Sequence, residues 1–235
     1  RMIPISLYTG FNQRPSDLLT KKEPYKKYFI ICEGANTETF YFTNLIDNKR
    51  ELGFRSTVDI ILMEKTGEHK NLSYAKSLVK FAKDKRNELI EKEIFNAETD
   101  VIIVIFDLDI FNAKVKDIDE LFKEEDDHLI FGFTNPGFEL FLLLHIKNSY
   151  NQIIKPNEEI ILNNQKIGNK RPCEYYLWQQ TNMNSKKNPL IGDLSKELLM
   201  AIEQEKYLNQ DKEMCLEKIS SNIGQILEKI IRDER

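Results

Sequence analysis

Two aspartates, Asp107 and Asp109, close the apolar run VIIVIFDLD with one residue between them. In an extended chain, residues two apart project to the same side, so both carboxylates share one edge of the strand. Like charges that close repel one another unless a cation lies between them, and carboxylate oxygens are the donors that magnesium and manganese take. Glu33 ends a second apolar run, KYFIICEG, and the following Gly34 lets the backbone approach a ligand closely. A helix starts just beyond, where free N–H groups favour anions. Glu38 falls in its first turn, where it either complements the helix dipole or joins the other acids. Glu139 has Phe138, Leu140 and Phe141 as neighbours in NPGFELFLLLH, and a carboxylate in such company needs a cation or hydrogen bonds. The chemistry open to Glu33, Asp107, Asp109 and Glu139 together is metal-assisted.

The elements that would position these acids alternate in type. The apolar β-formers of 27–34 predict a strand, and Asn36 or Thr37 then caps a helix that buries Phe40, Phe42, Leu45 and Ile46. A second strand over 56–65 leads to a long helix over 73–94, with Leu78, Phe81 and Leu89 on its apolar stripe. Val101 to Phe106 are six consecutive apolar residues without alternation, as a central strand covered on both faces requires. An acidic helix over 117–126 and a strand over 128–133 follow. Asn135 then reads as the cap, and Pro136 as the first residue, of a helix running through GFELFLLLHIK. Strand and helix alternate four times, which predicts an α/β fold with a mostly parallel central sheet flanked by helices, and in such sheets ligands bind at the carboxyl ends of the strands. Residues 1–26, with three prolines, read as a basic N-terminal arm, 27–150 as the α/β domain, and 151–235 as a helical C-terminal extension packed on the core. Within the extension, 157–169 reads as a small hairpin or irregular insert, 172–181 as a short helix, and 194–207 and 212–232 as two final helices.

Net charge is −4, but its distribution is uneven: residues 1–28 carry six Lys/Arg against two acids, and 29–150 carry 15 against 23. An acidic middle with a basic flank suits a protein that gathers a divalent cation in one place and touches phosphate in another. Three widely spaced cysteines, Cys32, Cys173 and Cys215, argue against a disulfide framework or a zinc knuckle and fit a reducing, cytoplasmic setting. There is no apolar run long enough to span a bilayer and no secretory signal pattern, so no membrane partner is expected. A P-loop, a dinucleotide glycine fingerprint, a nucleophile elbow, an HExxH pair and a paired CxxC are all missing from the sequence. His145 sits on an apolar helix and reads as a satisfied core histidine, and Cys32 reads as core packing. Downstream, Lys166, Lys170, Arg171, Lys186 and Lys187 interleave with Tyr175, Tyr176 and Trp178. That mixture either grips a single strand of RNA or DNA or packs the extension onto the sheet.

The segments ICEGANTETFYF, VIIVIFDLDIF and TNPGFELFLLLH resemble, in order, the three motifs of the Toprim domain. That domain is the metal-dependent catalytic module shared by topoisomerases, bacterial primases and old-type nucleases. More narrowly, EGxxTExxYF with NPxFELxLLH looks like the RloB-like group of Toprim proteins from prokaryotic defence loci. The resemblance covers about residues 27–147. Glu33, Asp107 and Asp109 match the Toprim acids, whereas Thr37, Glu38, Asn135, Pro136 and Glu139 match only the narrower group. Phe141 stands where relatives often have Trp. The resemblance implies a nuclease of RNA or DNA that uses Mg2+ or Mn2+, with Asp107 and Asp109 as ligands. Glu33 would then be general acid/base or a further ligand, and Glu139 would complete the metal shell. An assisting lysine would come from Lys65, Lys70, Lys186 or Lys187. It also implies antiviral defence and an ATPase partner encoded at the same locus, and leaves a homo-oligomer open. The alternative is a non-cleaving, metal-dependent binding or assembly subunit of an ATPase complex.

Overall fold

Val101–Asp107 (β3) lies in the middle of a five-stranded sheet, where its unbroken apolar run is covered on both faces. The computed structural model describes residues 26–63, 65, 75–109 and 115–232, so the N-terminal arm up to residue 25, His69 and Lys70 lie outside the described residues. Lys26–Cys32 (β1) pairs with β3 on one side and with Val58–Leu62 (β2) on the other, both in parallel. Leu129–Asn135 (β4) runs parallel along the far side of β3 and places Thr134 opposite Asp107. A two-residue strand, Ser220–Ser221 (β5), pairs antiparallel with the outer edge of β4, giving the order β2-β1-β3-β4-β5.

The strands alternate their apolar residues between two cores. Tyr28, Ile30, Cys32, Ile103 and Ile105 face one layer, formed with Thr37–Asp47 (α1), Phe138–Leu143 (α4), Pro172–Thr181 (α6), Leu198–Glu205 (α7) and Ile223–Arg232 (α8). Phe29, Ile31, Ile102, Val104 and Phe106 face the other, against Ala75–Glu91 (α2) and Val115–Phe122 (α3). On α2 the buried stripe is Ala75, Leu78, Val79, Phe81 and Ala82, with Leu89 at its edge. On α1 Phe42 and Leu45 are buried, Phe40 and Ile46 are partly covered, and Tyr41 is fully enclosed. Tyr41 Oη lies 2.9 Å from His145 Nε2, and His145 Nδ1 lies 2.9 Å from the Phe141 carbonyl, so His145 is the satisfied core histidine expected.

Three local expectations are corrected. Asn135 does not cap a helix: it is the last residue of β4, and Gly137, in extended conformation, precedes α4. The Asn135 amide instead donates to the carbonyls of Cys215, Leu216 and Lys218 at 2.9, 3.2 and 3.0 Å, three bonds that a helix N-cap would forgo. Residues 158–163 form a short helix, Glu158–Asn163 (α5), in place of a hairpin, and only a single bridge between Ile167 and Lys170 follows it. The last helix starts at Ile223 rather than 212. Ser220, Ser221 and Asn222 have weak helix propensity and side chains that compete for backbone bonds. Here they extend the sheet, with Asn222 Oδ1 accepting from Phe133 N at 2.7 Å and its amide donating to Phe131 O at 2.9 Å.

Candidate functional site

The parallel strands end together, and just past their carboxyl ends a cleft of about 400 Å³ opens between β1, β3 and the turn after β4. Glu33, Glu38, Asp107, Asp109 and Glu139 all line it. Glu33 follows β1 directly, and its Oε2 accepts from Asp107 N at 3.1 Å, so the β1 exit is tied to the β3 exit. Gly34 N donates to Glu38 Oε1 at 3.0 Å, which turns the Glu38 carboxylate back from the first turn of α1. A Cβ on Gly34 would fall within the Glu38 carboxylate, so this close approach requires glycine. Thr134 Oγ1 donates to Asp107 Oδ1 at 2.8 Å across the β3–β4 pair. Ser185 Oγ donates to Glu139 Oε1 at 3.0 Å, and Thr37 Oγ1 donates to the Ser185 carbonyl at 3.2 Å, which pins the segment after α6 over the cleft.

Burial, reinforced by neighbouring charge, raises the cost of ionising Glu33, Glu38 and Asp107. Burial pushes the Glu33 carboxyl up to about 7, opposed by the Asp107 N–H and reinforced by the charges of Glu38 and Asp109. Burial likewise pushes Glu38 up to about 7, with Glu139 as the neighbouring charge that adds to it. Asp107 is held well above the usual carboxylate range by burial and by Glu38, Glu139 and Glu33. Positive charge stands at the rim. Lys65 Nζ donates to the Glu33 carbonyl, and burial lowers the Lys65 ammonium from its ordinary value against the pull of Glu33 and Glu38. Arg171 and Lys186 reach the cleft from the C-terminal segment, and Arg171 Nη2 stands 3.9 Å from Asp109 Oδ2.

Residues 28–230 match the profile of the RloB-like proteins. The chain belongs to the RloB-like family. No curated protein and no solved structure matches it. The match runs from β1 into α8, so it takes in the C-terminal segment as well as the strand–helix repeat.

Within this RloB-like chain the residues singled out from sequence divide into two groups. Glu33, Gly34, Thr37, Glu38, Asp107, Asp109, Glu139, Arg171 and Lys186 line the one cleft, and Lys65 stands beside it on the Glu33 carbonyl. Asn135, Lys170 and Lys187 do not line it: Asn135 faces the turn at 215–218, and Lys170 Nζ donates to Glu174 at 3.0 Å. Lys186 also approaches Glu174, at 3.8 Å. Trp178 is 40 % exposed, so it is not part of the core, while Leu177 beside it is fully buried. Ala35, Asn36, Gly137, Phe138, Asn164 and Cys173 also line the cleft and were not among the site residues expected from sequence. A Cβ on Gly137 would stand 3.3 Å from Asp107 Oδ2, so a side chain there would crowd that carboxylate.

The carboxylate donors are hard oxygens, the kind that magnesium and manganese bind, and Gly137 keeps a side chain away from Asp107. Among the described residues, no three His, Cys, Asp or Glu side chains are arranged to hold a metal ion as they stand. The donor chemistry fits a hard divalent cation, while the described side chains do not form a preassembled cage.

Proposed function

We propose that this RloB-like protein is a Toprim-type nuclease that hydrolyses phosphodiester bonds with a divalent cation. The observation that carries the proposal is the convergence of Glu33, Asp107, Asp109 and Glu139 at the carboxyl ends of neighbouring parallel strands, where Glu38 joins them. Asp107 and Asp109, with Glu33 and Glu139, would hold Mg2+ or Mn2+, which when bound neutralises phosphate charge and makes water acidic enough to attack. Arg171 and Lys186 take the phosphate of the substrate from the opposite wall, Arg171 through its planar fork. In the metal-free chain burial pushes the Glu33 carboxyl up to about 7, so where Glu33 is not a ligand it is suited to holding or releasing a proton at Oε1 or Oε2 at neutral pH. Lys65 fixes the Glu33 backbone. A role in prokaryotic antiviral defence, alongside an ATPase from the same locus, belongs to the same proposal and is supported by the motif resemblance.

The test is cleavage of DNA and RNA in Mg2+ and Mn2+ by the wild type, Asp107→Ala and Asp109→Ala. Cutting is expected from the wild type and a loss of about 100-fold or more from each variant. Cutting that survives both substitutions would remove these residues from the site. The second reading is a non-cleaving, metal-dependent binding or assembly subunit of an ATPase complex. Failure to cut with any metal, even with the ATPase present, selects it.

A further inference from the structure

Asn164 closes α5 in the left-handed conformation (φ 50°, ψ 27°) and lines the acidic cleft while only 6 % exposed. Its backbone carbonyl accepts from Arg171 Nη1 at 2.9 Å, so it sits beside the guanidinium that faces Asp109. Its side-chain oxygen is buried and has no hydrogen-bond partner among the described residues. A buried amide oxygen without a donor carries an uncompensated desolvation cost, and a ligand that brings a donor removes it.

Resting on the nuclease reading above, the geometry points to Asn164 as a ribose-reading residue, which makes RNA the preferred substrate. The guanidinium next to Asn164 favours a phosphate there. A phosphodiester offers only acceptors, so the phosphate itself cannot satisfy Asn164. Of the groups adjoining a backbone phosphate, the ribose 2′-hydroxyl is the donor, and DNA has none there. A hydroxyl both donates and accepts, so it pairs with either edge of the amide.

The test uses the full chain and matched, fluorescently labelled single-stranded RNA and DNA, with affinity read by anisotropy in Ca2+. RNA is expected to bind about ten-fold or more tightly than DNA. Asn164→Gly, which keeps the left-handed backbone, should erase the difference by weakening RNA alone. Asn164→Asp, which keeps an acceptor, should retain the preference, and circular dichroism checks that both variants fold. Equal binding of RNA and DNA by the wild type, no binding of either, or a parallel loss of both in Asn164→Gly overturns the inference. Turnover in Mg2+ or Mn2+ is scored separately, so failure of the nuclease reading is distinguished from failure of the ribose preference.

Discussion

Glu33 and Glu38 each carry a carboxyl pushed from an ordinary 4.5 up to about 7, with burial the leading cause in both. A carboxyl whose folded value is raised favours the folded state while protonated. Its contribution is present below pH 4.5 and is lost as pH rises through about 7. The chain without metal should therefore lose stability between about pH 4.5 and 7, and level off above that, as read by thermal melting. A divalent cation binds the ionised form and should reverse the loss, so Mn2+ is expected to raise the melting temperature more at pH 8 than at pH 5. An equal effect at both would remove the carboxylates as the site of binding. Asp107→Asn takes one charge out of the same cluster. At pH 8 without metal it should raise stability by about 1 kcal/mol, or about 2–4 °C in melting temperature, while nuclease activity falls.

The elements are held by polar side chains that stand in for backbone. Glu205, fully buried on α7, accepts from Ser221 Oγ, Gly224 N and Gln225 N at 2.5, 2.9 and 2.8 Å, and so caps the start of α8 from a different helix. Glu205→Ala should cost about 2–4 kcal/mol in urea unfolding, because it strips several donors in a buried place. Asn135 plays the corresponding part between β4 and the turn at 215–218, and Asn135→Ala should cost about 2–3 kcal/mol by the same measurement. Along α1, Asn44 donates to Asp193 at 3.1 Å and accepts from Ser195 Oγ at 2.7 Å, which lays the nine-residue 3-10 helix Pro189–Glu197 against it. These bonds join residues 80 to 151 positions apart for Asn135 and Asn44, and no local pattern announces them.

Across the whole molecule, residues 151–232 supply part of the core that backs the cleft. Leu177, Ile191, Leu198, Ile202, Ile223 and Leu227 are buried in the same cluster as Tyr28, Ile30, Ile103 and Ile105. β5 covers the edge that β4 would otherwise expose. A fragment of residues 26–150 is therefore expected to show no cooperative unfolding transition in near-ultraviolet circular dichroism. A sharp transition in that fragment would show that the strand–helix repeat is stable alone. No helix among the described residues is long and apolar enough to cross a membrane.

What the sequence determined by itself was what short-range physics encodes. The unbroken apolar run of 101–106 dictated a central strand, the alternation of strand and helix dictated a mostly parallel sheet, and a parallel sheet brings Glu33, Asp107 and Asp109 to one edge. The tertiary structure alone decided the fate of the ambiguous residues. Glu38 sits where a simple dipole effect would put it, yet Gly34 turns its carboxylate into the cleft. Asn135 has the local signature of a helix cap, yet three carbonyls from 215–218 outbid it. Asn164 and Arg171 reach the acids only because α5 and the turn after it fold back over the strand ends. Periodicity and capping act over a few residues, whereas burial and hydrogen bonding between distant segments exist only once the chain has closed on itself.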